Sequence, residues 1–249
     1  MPINTNYPMV LVIGRSGSGK SYSLKDLNLA TTCVINIEQK PFPFRNKFPM
    51  EFQPSTVQEF DANLDTAILS NIIDVIVIES GSKYAEELLA LAKRLNKGYD
   101  IYNYFNDRTA TFLAKIKRNN RKVIVITWID ELVKEISPGG TESTTRRAGI
   151  SGKVWEGKIE KEFAIVLFTD VRQEKGKEVE YRFMTNNDGT NSAKSPPDMF
   201  GKQYITNNLK FVTDKVFEYY ELPRLSKASE EEKKAMIEGD KTIVLDSKI

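Results

Sequence analysis

One stretch limits this chain more than any other. Residues 10–13 are Val, Leu, Val and Ile, and they run directly into Gly14, Arg15, Ser16, Gly17, Ser18, Gly19, Lys20 and Ser21. The spacing G-x-x-x-x-G-K-S after a β-forming run is the signature of a phosphate-binding loop. Glycines at 14, 17 and 19 leave out the Cβ, so the backbone can curl tightly and take positive φ. Its N–H groups then converge as a nest for anionic oxygens. A helix is expected from about Lys20 through residues 21–30, with its positive end toward the phosphates. Lys20 would meet the β- and γ-phosphates as a point charge, and the Ser21 hydroxyl would take Mg²⁺. A strand, such a loop and a helix together call for an α/β fold.

The rest of the composition removes competing chemistries. The 249 residues contain no histidine and one cysteine, Cys33. This excludes an intrachain disulfide framework, a cysteine-type zinc site, a Ser-His-Asp triad and most transition-metal sites. Net charge is +2, so any nucleic-acid contact has to be local. No apolar run is long enough to span a bilayer. Residues 1–8, MPINTNYP, have neither a basic nor a long apolar segment of the secretory kind. A cytoplasmic protein is expected, with no membrane contact.

Strand and helix patterns alternate over about the first 135 residues. Strands are expected at MVLVIG, at CVINIE (33–38), at IIDVIVIES and at KVIVITW (122–128). Helices are expected at STVQEFDANLDTAILS, capped by Ser55 with Gln58, at YAEELLALAKRLN with an apolar stripe of Leu88, Leu89, Leu91, Ala92 and Leu95, and at DRTATFLAKIKRNN. This alternation predicts a mostly parallel sheet flanked by helices, with ligands at the carboxyl ends of the strands. A polar, Gly-rich loop follows at SPGGTESTTRRAGISGK. FAIVLFTDVRQ and KEVEYRFMTN then read as a C-terminal antiparallel hairpin, and LKFVTDKVFEYYEL as a helix. Residues 225–249 are a charged tail with a Ser229–Glu232 capping box. The domain reading is therefore 1–224 and a tail, 225–249, that could dock a protein partner.

Hydrolysis of a nucleotide needs a carboxylate for the metal and a group that positions water. Glu79 ends the third apolar strand and is the candidate for Mg²⁺, where Asp is the usual residue and Glu is one methylene longer. Glu38 ends the second strand and could orient or deprotonate water. A solvated strand-end acid is the plainer alternative for each.

GRSGSGKS, CVINIEQKP, DVIVIES and KVIVITW, in that order, resemble the core of RecA-like P-loop ATPases. The likeness is to the small phage type, including phage nucleotide-binding and single-strand annealing ATPases. The resemblance implies ATP and Mg²⁺ as cofactors, Glu38 as the water-activating residue and Glu79 as the metal acid. A γ-phosphate sensor is implied at the fourth strand end, where Thr127 and Trp128 stand. Relatives usually carry Gln, Asn or His there, so Trp128 departs from the pattern and Thr127 is the remaining candidate. It further implies a homo-oligomer, in which Lys194 reaches a neighbour's γ-phosphate. The Gly-rich loop takes the place of a second DNA-binding loop, with Arg146, Arg147 and Lys153 as contacts to single-stranded DNA. Tyr99, Tyr102, Tyr104 and Phe105 could stack bases, or belong to a core or interface.

The first functional expectation is an ATP-binding and ATP-hydrolysing protein acting on single-stranded DNA in recombination or replication. The alternatives are a nucleoside or nucleotide kinase with Arg146 and Arg147 in a lid, and an ATP-binding assembly protein with little turnover.

Overall fold

Strands apolar at every position need cover on both faces, and the computed structural model supplies it. It describes residues 7–136, 142–152, 154–229 and 231. In chain order the elements are β1 (Met9–Ile13), a 3₁₀ turn (Ser21–Leu24), β2 (Thr32–Asn36), β3 (Met50–Phe52), α1 (Val57–Leu69), β4 (Val75–Glu79), α2 (Gly81–Leu95), α3 (Asp100–Lys117) and β5 (Val123–Trp128). There follow β6 (Asp130–Ile136), β7 (Glu142–Ala148), a 3₁₀ turn (Ile159–Glu162), β8 (Ile165–Arg172), β9 (Glu180–Met184), α4 (Pro197–Phe200), β10 (Tyr204–Thr206), α5 (Leu209–Tyr219) and a last 3₁₀ turn (Leu225–Lys227).

The main sheet has eight strands in the order β10-β9-β8-β1-β5-β4-β2-β3. From β8 to β3 every pairing is parallel, and β9 and β10 extend the β8 edge antiparallel. The expected hairpin is thus present, and β5 stands between the phosphate-loop strand β1 and the Glu79 strand β4. This is an α/β arrangement, a mostly parallel sheet flanked by helices with an antiparallel hairpin at one edge. Strand alternation splits the core in two. Leu11, Ile13, Ile35 and Ile76 face α1, α2 and α3 through Phe60, Leu88 and Phe112. Val10, Val12, Val34 and Val77 face α5 through Leu209, Val212 and Val216, together with Leu24 and Leu27. Among the described residues, no helix is long and apolar enough to cross a membrane.

Several expectations need correcting. The helix expected after Lys20 is a four-residue 3₁₀ turn followed by further turns. Ser23 Oγ donates to the Lys20 carbonyl at 2.5 Å, and Asn28 Oδ1 accepts from Ala30 N at 3.0 Å. Such local bonds compete with helix, and Leu24 and Leu27, three apart, bury together as a 3₁₀ spacing favours. Strand β2 stops at Asn36, short of Glu38. Helix α1 is capped by Thr56, not Ser55: Thr56 Oγ1 accepts from Glu59 N at 3.1 Å, and Glu59 Oε2 accepts from Ser55 N at 2.7 Å. Leu95 is 60% exposed, off the apolar stripe at the helix end. Helix α3 begins at Asp100 and takes in Tyr102, Tyr104 and Phe105, of which Phe105 is core.

The Gly-rich loop is the largest revision. Residues 130–136 and 142–148 pair as a separate two-stranded antiparallel ribbon. Arg146 and Arg147 therefore sit on β7, not on a loop. Residues 137–141, Lys153 and the Glu232 half of the tail's capping box lie outside the described residues.

Candidate active site

The phosphate loop bends where its glycines permit. Gly17 and Gly19 take φ of +74° and +92°. Gly14 is needed for a different reason: a Cβ there would stand 1.7 Å from Thr169 Oγ1. Thr169, at the site end of β8, donates to Ser18 Oγ at 2.8 Å and so braces the loop from the neighbouring strand. Lys20 Nζ donates to the carbonyls of Gly14 at 2.6 Å and Arg15 at 2.8 Å, which holds the ammonium across the mouth of the loop.

Glu79 lies below it, buried, at the end of β4. Ser21 Oγ donates to its Oε1 at 2.6 Å and Thr127 Oγ1 to its Oε2 at 2.5 Å. The two residues named from sequence for the metal are thus in direct contact, across the intervening strand. Burial pushes the Glu79 carboxyl above the usual range, against the pull of the Ser21 and Thr127 hydroxyls and the Lys20 charge. Burial likewise draws the Lys20 ammonium below the usual lysine range, opposed by Glu79, then Asp130 and Glu38.

The loop, Glu79 and Glu38 rim a cavity of about 610 Å³, walled further by Tyr22, Val179 and Tyr181. Glu38 is at its edge, with Lys40 Nζ donating to Oε2 at 2.7 Å. Ser21 and Glu79 offer hard oxygen donors, the chemistry Mg²⁺ takes. Among the described residues no cluster of three or more His, Cys, Asp or Glu forms a protein cage for a metal. A lone serine–carboxylate pair fits an ion that arrives with a phosphate.

A family model described as "AAA domain" matches residues 6–196, which takes in the loop, both acids and Thr127. The chain belongs to the AAA-domain family. It is a P-loop ATPase domain by that membership. Among solved structures, the KaiC-like protein PH0186 of the hyperthermophilic archaeon Pyrococcus horikoshii OT3 is similar at 15% identity and a TM-score of 0.41, over 72% of this chain and 78% of that one. The flagellar accessory protein FlaH of Methanocaldococcus jannaschii is similar at 12% identity and a TM-score of 0.36, over 72% and 77%. No curated protein matches significantly.

In this AAA domain the other named residues are placed differently. Thr127 is fully buried and its hydroxyl is directed at Glu79. Trp128 is a packing and anchoring residue: its Nε1 donates to the Gly149 carbonyl at 2.6 Å, which ties the ribbon's root to β5. Arg146 Nε donates to Asp130 Oδ2 at 2.9 Å, and its Nη atoms reach the Thr169 carbonyl. Arg147 donates to Glu131 at 2.8 Å and Glu156 at 2.6 Å. Lys194 lies away from the cavity, its backbone paired with Val166 low on β8 and its ammonium near Glu160 and Glu162. Tyr99 and Tyr102 are exposed at the start of α3.

Sequence reasoning missed Thr169, Asp130 and Tyr181. Thr169 and Tyr181 look like ordinary strand residues in FAIVLFTDV and EVEYRFM, and only strand order brings them to the loop. Asp130 had a signal, as the first acid after the KVIVITW run.

Proposed function

We infer that this protein binds Mg²⁺–ATP at the Gly14–Ser21 loop and hydrolyses it, and that it acts on single-stranded DNA in recombination or replication of bacteriophage type. The observation that carries the nucleotide reading is the Ser21–Glu79 contact at 2.6 Å beneath a loop whose lysine already bridges its mouth. Lys20 would exchange its carbonyl partners for phosphate oxygens. Ser21 and Glu79 would hold Mg²⁺, which when bound neutralises phosphate charge. Thr127 would keep the Glu79 carboxylate turned toward Ser21. Glu38, at the cavity rim, would orient or deprotonate the attacking water, released from Lys40 when nucleotide arrives; such an exposed ion pair costs little to open.

The DNA part of the reading is supported by the β6–β7 ribbon. It is paired separately from the main sheet, exposes Leu132 and residues 142–144, and is rooted at the site through Trp128. Arg146 and Arg147 would reach a polynucleotide by giving up acid partners. The same ion pairs weigh against a kinase lid built on these arginines. Assembly as a homo-oligomer, with Lys194 offered to a neighbour's nucleotide, belongs to this reading because Lys194 is far from its own cavity.

Steady-state ATPase assays with and without single-stranded DNA test it. Turnover that rises with DNA, and nucleotide binding lost in Lys20→Ala, are the expected results. Phosphate transfer to nucleosides with no response to DNA would favour the kinase, and binding without turnover the assembly protein.

A further inference from the structure

We propose that Arg15 is an arginine supplied by the loop itself to the terminal phosphate, and that buried Asp130 competes with that phosphate for it. This rests on the nucleotide reading above.

Asp130 opens β6, and its side chain is 2% exposed. Oδ2 accepts from Arg146 Nε at 2.9 Å and stands 3.7 Å from Arg15 Nε. Oδ1 is buried and has no hydrogen-bond partner. A carboxylate can accept about four hydrogen bonds, so this buried acid is under-satisfied, and leaving such an oxygen empty is costly. Arg15 is the donor at hand. Its side chain is 65% exposed, and its planar fork could engage both oxygens of one carboxylate or phosphate.

Arg15 is also rooted at the right place. Its carbonyl holds the Lys20 ammonium at 2.8 Å and accepts from Ser18 Oγ at 2.6 Å, and the Asp130 charge is felt at that same ammonium. Lys20 marks where the terminal phosphates bind, so a triphosphate brings a second anion within the side chain's reach. Arg146 sets the balance. By holding Oδ2 it competes, in charge and in space, with the two-point fork that Arg15 would otherwise make with Asp130. With Arg146 removed, Asp130 takes Arg15 fully and withholds it from phosphate.

The test is calorimetric titration of the full-length protein with MgADP and with the Mg²⁺ complex of a non-hydrolysable β,γ-imido ATP analogue. Arg15→Ala should lower analogue affinity about tenfold, the loss of one charge-assisted hydrogen bond, and leave MgADP within about twofold. Arg146→Ala should also weaken the analogue selectively, but have no effect once Arg15→Ala is present. Asp130→Asn in the Arg146→Ala background should restore analogue affinity. Melting temperatures accompany the buried variants; if those fail to fold, the exposed Arg15→Ala variant decides the matter by itself. Equal losses for both ligands, as a mere loop brace would give, or no loss in Arg15→Ala, overturns the proposal. A wild-type protein that binds neither ligand overturns the nucleotide reading itself, and this inference with it.

Discussion

At the scale of single residues, the site is two opposed titrations. Glu79 must be ionised to take a cation, and burial raises its pKa; Lys20 must be protonated to take phosphate, and burial lowers its pKa. The sign follows for each. Below the raised Glu79 pKa the carboxyl is neutral, so Mg-nucleotide affinity falls on acidification at a pH above that of an ordinary glutamate. Above the lowered Lys20 pKa the amine is neutral, so affinity falls on the alkaline side sooner than for an ordinary lysine. Affinity measured across pH should give a narrowed bell. In Glu79→Gln the overall affinity should be lower and the acid limb should disappear. Thr169 supplies a second expectation. Thr169→Val keeps the shape and loses the hydroxyl that holds Ser18, so the loop should lose about 1 kcal/mol of organisation, read as weaker nucleotide binding with little change in melting temperature. The grouping of Lys20, Ser21 and Glu79 was legible because the loop spacing marks the first two and a strand end marks the third. Thr169 was not, and Asp130 showed only as an acid following a strand, because their contacts exist only once β8 and β6 lie beside the loop.

At the scale of elements, three helices are locked to one face of the sheet by an aromatic trio. Phe60 of α1 stands with its ring centroid 4.4 Å from that of Tyr84 on α2 and 5.8 Å from that of Phe112 on α3. Phe60→Ala should cost about 3–5 kcal/mol in denaturant unfolding, with the midpoint moving and the site residues untouched. The buried parallel strands were readable because apolar runs bounded by polar residues leave little choice. The post-loop helix was misread because serine and asparagine hydrogen bonds favour turns over a pattern that otherwise suits helix. The ribbon was misread because glycines and threonines in the sequence at 139–149 suggest a loop, while the pairing of 142–148 with 130–136 depends on the partner strand. Edge strands β3 and β10, three residues each, are too short to leave a period.

At the scale of the whole molecule, the described fold continues past the expected boundary at 224. Leu225 is buried, and Ser226 donates through its backbone N at 3.0 Å and its hydroxyl at 2.5 Å to Asp74, which precedes β4. A chain ending at 223 should be less stable than the full-length chain by about 1–3 kcal/mol, the cost of leaving Asp74 without Ser226; thermal melts of the two would decide. The remaining consequence concerns β5. Its side chains are buried throughout, and it spaces β1 from β4 on either side. The span from the root of the phosphate loop, at the end of β1, to the end of β4 is therefore a ruler cut into the sheet, roughly two strand spacings of 4.8 Å wide. Ligands can come and go without stretching it. A response to nucleotide is therefore expected in what borders the sheet, the phosphate loop and the ribbon, rather than in its floor.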